Sequence, residues 1–208
     1  MTERAYRQLE ELIVTLQLPP GTILSEQMLS QRLEIGRTPI REALQRLALD
    51  GLVTILPRRG ILVSEINLRT QLRLLEVRRE LERLMARGAA ERANAVELAE
   101  FDQIATSMLD ASRDSDDITF MRLDLRLNLL IAQAARNEFA ARSMSLMHGL
   151  SRRFWYQHYK EVADLPLSAK LHAGVARAIT QRDPVAAAGA SDRLMDYIET
   201  FTRKTIDS

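Results

Sequence analysis

Arg37, Arg41 and Gln45 recur about every fourth position, so on a helix they share one face and send long donor-bearing side chains to one side. A guanidinium fork can hold two acceptors at once, as on a guanine edge or a phosphate. Arg46 lies four residues after Glu42; this spacing suits an ion pair as well as a phosphate contact, and both stay open. A second basic pair, Arg58 and Arg59, stands before Gly60 between two strand-like runs, VTIL and ILVS. The chemistry offered by this set is recognition of a polyanion.

Elements that could position these residues are legible around them. Ser25 is a cap for a helix running to Leu33, and Glu34 to Gly36 form a tight turn. A second helix then runs from Thr38 to about Asp50. Thr38 can cap it, Pro39 suits its first position, and Gly51 can supply the left-handed stop. Ile40, Leu44 and Leu47 form its core face. Residues 3–17 carry Leu9, Ile13 and Leu16 at helical spacing and end at Pro19, Pro20 and Gly21, giving a bracing helix. Three helices followed by a hairpin with a basic tip make a winged helix-turn-helix over residues 1–66. In that arrangement one helix enters the major groove and the wing touches the backbone or minor groove.

From Asn67 the strand signals stop, and Leu, Ala, Met and Arg recur with a period near 3.6 to the end of the chain. The pattern predicts an all-α second domain over 67–208. Its helices are expected at about 67–93, 96–112, 117–135, 138–162, 168–181 and 184–205, with Leu165–Pro166 as one of the breaks. Short spacers favour an antiparallel bundle. The fold class is therefore mainly α. The 208 residues are 46% hydrophobic and 27% charged, enough for a real core. Without cysteine there is no disulfide framework or thiolate metal site, and a cytoplasmic setting is expected; no apolar run has the length of a membrane span and no signal-peptide pattern opens the chain. The formal net charge is only +1, so attraction to a polyanion must be local to the arginine-rich head.

The segments LPPGTILSEQMLSQRL, IGRTPIREAL, DGLV and PRRGILVSEI make residues 5–66 resemble the N-terminal domain of GntR-family bacterial transcription regulators. The resemblance implies that Arg37, Thr38 and Arg41 contact operator DNA and that Arg58, Arg59 and Gly60 form the wing. Gly36 departs from it, since the family usually has a small hydroxyl residue there.

The second half, through VRRELERLMARGAA, FMRLDLRLNLLIAQAARN and LHAGVARAITQRDPVAAAGASDRLMDYI, resembles the FadR-type ligand-binding domain, the FCD domain. Such domains are helical bundles whose central pocket often holds a divalent metal through an aspartate and three histidines and takes a small carboxylate. Carried over by position, Asp124 and His172 match two ligand positions, Asn128 stands where a histidine is usual, and the last position falls at Leu194. The resemblance thus implies an effector site of Arg78, Asp124, Asn128 and His172. It leaves a depleted metal set of Asp124, Asn128 and His172 for an ion such as Zn, Ni or Mn. Arg78 matches an inward arginine suited to a bidentate grip on a carboxylate, and also stands four residues before Glu82, within ion-pair reach.

The expectation is a homodimeric, DNA-binding transcriptional regulator, a repressor, with double-stranded operator DNA and a small carboxylate as partners, no membrane and no enzymatic activity. Two alternatives belong to other classes. One is a metal-dependent hydrolytic enzyme with a DNA-targeting head; the other is an architectural DNA-binding protein that senses nothing.

Overall fold

A computed structural model describes residues 1–162 and 164–205, with the side chains of residues 161 and 162 left aside. The chain forms two compact units. The first comprises Met1–Asn67 together with Ser145–Gln157, and the second Leu68–Met144 together with His158–Ser208.

In the first unit, α1 (Thr2–Val14), α2 (Glu26–Leu33) and α3 (Arg37–Leu49) pack with a small sheet of β1 (Ile23–Leu24), β2 (Val53–Leu56) and β3 (Gly60–Val63). The sheet order is β1-β3-β2, antiparallel throughout, with Leu24 opposite Ile61 and Val53 opposite Val63. The hairpin expected from VTIL and ILVS is thus present. The added strand β1 is too short to carry an alternation that sequence could reveal. Leu9, Ile13, Leu29, Ile40, Leu44 and Leu47 close the core against Leu52 and Val63; Leu9 and Ile13 on α1 and Ile40, Leu44 and Leu47 on α3 are buried as their spacing implied, whereas Leu16 lies past the end of α1 at φ +59° and outside this core.

Local chemistry sets the boundaries. Ser25 caps α2 through its side chain, which accepts from the Met28 amide. α3 begins one residue earlier than expected: Gly36 is the N-cap, no side chain caps the helix, and Thr38 lies within the first turn. The departure from the family pattern at Gly36 therefore has a physical counterpart, a helix N-terminus without a hydroxyl acceptor. Gly51 has φ +74°, the left-handed stop its sequence position suggested. Gly60 has φ +105°, and a Cβ there would lie 2.7 Å from the Leu24 carbonyl oxygen. Glycine is what lets β3 pass so close to β1 just after the turn at the tip of the wing.

The second unit holds α4 (Leu68–Arg92), α5 (Ala95–Arg113), α6 (Asp117–Ala134), α8 (Leu165–Thr180) and α9 (Pro184–Lys204), with the ends of α7 (Glu138–Val162). α4 packs chiefly on α9 and α5 on α8, while α6 lies against both α4 and α5. Asn94 and Glu97 form a reciprocal capping box at the start of α5, and Glu97 also accepts from Arg136 at 2.8 Å. Asp164 caps α8, and Pro166 sits in its first turn. The residues read as a break thus open the helix, because a first-turn proline loses no intrahelical bond. No helix among the described residues is long and apolar enough to cross a membrane.

Candidate functional site

α3 presents Arg37, Thr38, Arg41, Gln45 and Arg46 on its exposed surface, opposite the buried Ile40, Ala43, Leu44 and Leu47. The spacing thus brings the candidate DNA-contacting residues to one outward side, at the helix end where backbone amides also point outward. Arg37, Thr38 and Gln45 make no side-chain hydrogen bond among the described residues.

Arg41 is held from α2. Its Nε donates to Glu26 Oε1 and its Nη2 to Glu26 Oε2, each at 2.8 Å. The hydrogen bonds and charge of this fork raise the Arg41 pKa and lower that of Glu26. Sequence spacing gave no hint of Glu26, because its partner lies on the next helix.

Arg46 does not pair with Glu42, the ion-pair partner its sequence spacing offered. It pairs with Glu3 at 2.7 Å and lies over the Tyr6 ring, 4.1 Å from the centroid. Tyr6 in turn donates to Asp50 at 2.7 Å. Arg46 thus ties α3 to α1, a packing role for its stem and charge. Arg58 and Arg59 are exposed in the turn between β2 and β3, with Arg58 at φ +61°. Gly60 starts β3 behind them. Neither arginine side chain makes a hydrogen bond among the described residues.

The second unit contains a buried polar cluster built from four helices. Arg78 and Glu82 lie one turn apart on α4, Asp124 and Asn128 one turn apart on α6, His172 on α8, and Ser191 on α9. Arg78 donates from Nε to Glu82 Oε1 at 2.7 Å, and its Nη2 donates to the same oxygen. Asn128 donates to Asp124 Oδ1 at 2.9 Å, and His172 Nε2 lies 3.3 Å from that oxygen. Phe120 packs edge-on to the His172 ring at 5.5 Å. A cavity of about 20 Å³ lies beside the cluster, lined by Glu82, Asn128, His172 and Ser191 among apolar side chains that include Leu194. Of the expected effector residues, Asn128 and His172 line the cavity and Asp124 is held to both, while Arg78 reaches the wall only through its bond to Glu82. Ser191 had no signal in the sequence.

His172 faces acceptors on both ring nitrogens, since Nδ1 lies 2.8 Å from the Ser168 carbonyl oxygen. Only the doubly protonated ring can donate to both. Burial works to lower its pKa, but the bond and charge of Asp124, the Ser168 carbonyl and the charge of Glu82 outweigh it and raise the value. A histidine raised on folding contributes stability in full below its unfolded value, about 6.5, and loses it as pH rises through the folded value. The thermal midpoint of the wild type is therefore expected to fall as pH is raised from below 6.5 across the His172 titration, and Asp124→Asn should flatten that fall. Matching profiles for the two proteins would refute the coupling.

The cluster does not fit a tightly held divalent metal. His172 is engaged on both nitrogens, and Leu194, which can ligate nothing, occupies the wall. No group of three or more His, Cys, Asp or Glu among the described residues is placed to hold an ion. Asp124, Asn128 and His172, the residues expected as a metal set, stand together as a hydrogen-bonded polar cluster.

Comparison with known proteins agrees with this two-part organisation. The family described as bacterial regulatory proteins, gntR family, matches residues 1–63, and the FCD domain matches residues 73–197. The HTH-type transcriptional repressor RspR of Escherichia coli (strain K12) is 26% identical over 204 residues, covering 98% of this chain and 90% of that protein. The Nta operon transcriptional regulator of Aminobacter aminovorans is 25% identical over 174 residues, covering 82% of this chain and 80% of that protein. Among solved structures, E. coli McbR/YncC superposes with a TM-score of 0.85 at 19% identity over 99% of this chain and 98% of that one, a likeness of fold.

Proposed function

Because the chain belongs to the GntR family of bacterial regulatory proteins, is a transcriptional regulator and carries an FCD domain, we propose that it is a homodimeric repressor released from its operator by a small carboxylate. In this reading Arg37, Thr38, Arg41 and Gln45 address the major groove, and Arg58 and Arg59 address the backbone beside it. The observation that carries the DNA-binding half is the outward face of α3, which displays these long donors over a fully apolar inner face. The carboxylate is received at the buried cluster. Arg78 supplies the planar fork, and His172, Asn128 and Ser191 set the orientation of the ligand. Glu82 holds the guanidinium until the ligand replaces it.

An effector can act only through different affinities for the DNA-competent and DNA-incompetent arrangements. Selection of bound sequences from a random duplex pool is the test. The expected product is a pseudo-palindrome whose half-sites lie about one helical turn apart, and a carboxylate that binds the protein should weaken its grip on that duplex. Recovery of no preferred sequence would leave an architectural protein. Retention of the duplex by ligand-saturated protein would remove the release mechanism.

A further inference from the structure

The outward surface of α4 carries charges in an order that complements itself. Arg69, Arg73, Glu76, Val77, Glu80 and Leu84 are all exposed, and at 3.6 residues per turn they fall within about a third of the helix circumference. Two cations come first and two anions follow. Val77 is 52% and Leu84 40% exposed, on a helix whose inner faces are covered by α6, α8 and α9. Arg69, Arg73 and Glu76 make no side-chain hydrogen bond or ion pair among the described residues, and Glu80 meets Arg83 alone, at 3.2 Å. Beside this stripe, between α4 and α9, a groove of about 280 Å³ has Leu72 and Leu75 in its floor and Glu76 and Glu80 on its rim.

We propose that the stripe and its groove receive the same stripe of a second copy, with the two α4 helices antiparallel about a two-fold axis between Glu76 and Val77. This rests on the reading of the chain as a homodimer, and gives that dimer a surface. A two-fold interface makes every contact twice. Arg73 then faces the partner's Glu80, and Glu80 faces the partner's Arg73. The Arg73 stem lies in the partner's groove, over apolar floor, with its charged head between two carboxylates on the rim. Arg69 lays its stem on the partner's Leu84, and Val77 is covered at the axis. A parallel pairing would set Arg73 on Arg73 and Glu80 on Glu80, and like charges placed opposite one another oppose association. DNA is a poorer occupant, because phosphates drawn to Arg69 and Arg73 would meet Glu76 and Glu80 within two turns.

Sedimentation of the full chain over a range of concentrations tests this through charge reversal. Arg73→Glu and Glu80→Arg should each weaken dimerisation about 30-fold or more, since each puts two like-charge contacts in place of two attractive ones. Both positions are exposed, so folding should be untouched. An equimolar mixture of the two variants should recover wild-type association, because the variant with two anions then faces the variant with two cations. Combining both substitutions in one chain should recover it as well. The chain has no cysteine, so Val77→Cys places one thiol at the axis, and mild oxidation of that variant should yield covalent dimer. A wild type that stays monomeric overturns this surface and the homodimer together. A wild-type dimer that both reversals leave intact, with no cross-link through Val77→Cys, overturns the surface and leaves the homodimer standing. Weakened variants that fail to recover on mixing overturn the facing of Arg73 and Glu80. Reduced duplex binding by Arg73→Glu with its dimer intact assigns the arginine to DNA and likewise overturns the inference.

Discussion

Arg153→Met should destabilise the first unit by about 2 to 4 kcal/mol, the range expected when buried carbonyls lose a charged donor. Arg153 is 1% exposed and reaches the two feet of the wing. It donates to the Ser64 carbonyl at 2.9 Å and lies within longer reach of the Leu52 and Glu65 carbonyls, at 3.5 and 3.4 Å. Leu52 precedes β2 and Ser64 follows β3, and the Ser64 amide donates to the Leu52 carbonyl at 3.0 Å. One guanidinium therefore holds the base of the hairpin whose tip carries Arg58 and Arg59. Burial pulls the Arg153 pKa down to about 10, with the charge of Glu65 opposing, so the group still carries its charge at neutral pH. Methionine fills the space and donates nothing. Denaturant unfolding of the first unit should move to lower midpoint, and operator binding should weaken through the loosened wing. Arg153→Lys should recover only part of the loss, because an ammonium is a point donor without the fork. A change within about 0.5 kcal/mol, the usual range for a substitution away from such features, would show that the carbonyls do not depend on this side chain.

The contrast between Arg153 and the wing it supports marks what sequence could and could not reveal. Helix limits and inner faces depend on neighbours within a few positions, and these were readable: Ile40, Leu44 and Leu47 are buried as their spacing implied, and the six helices from Leu68 onward start and stop within a few residues of the punctuating Asn, Asp and Pro. Partnerships across the chain were not readable. Arg153 meets Ser64 from 89 positions away, Arg46 meets Glu3 from 43, and Arg41 meets Glu26 from another helix. The grouping of Ser145–Gln157 with the N-terminal residues has the same origin. Gly149 shows how tight that packing is, since a Cβ there would lie 2.7 Å from Leu52 Cδ1. A helical period identifies an inner face and says nothing of which element will cover it. In the buried cluster, one-turn pairs such as Arg78 with Glu82 and Asp124 with Asn128 were legible, whereas the meeting of α4, α6, α8 and α9 at one cavity needed the fold.

Arg41→Ala is the sharpest functional test. It should weaken specific operator binding about 5- to 150-fold, the cost of losing one base-reading arginine, and leave the unfolding midpoint unchanged because Arg41 is exposed. The loss should be concentrated at one base-pair position in each half-site, so that competition with mutant operators, rather than total affinity alone, identifies it. Non-specific duplex binding should change little, since the total charge of the head falls by one. Glu26 refines the prediction. Both its oxygens face the Arg41 fork, which fixes the guanidinium plane over the outward surface of α3 before DNA arrives. Exposed ion pairs contribute little to stability, so the consequence of this pair lies in orientation. Glu26→Gln should keep affinity for the best operator within about tenfold while broadening the base preference opposite Arg41, because the fork then reaches the groove in several orientations. If Glu26→Gln instead raised affinity and sharpened the preference, Glu26 would be a competitor that DNA must displace. If Arg41→Ala bound every operator as the wild type does, the reading residue would have to be sought elsewhere on α3, first at Arg37.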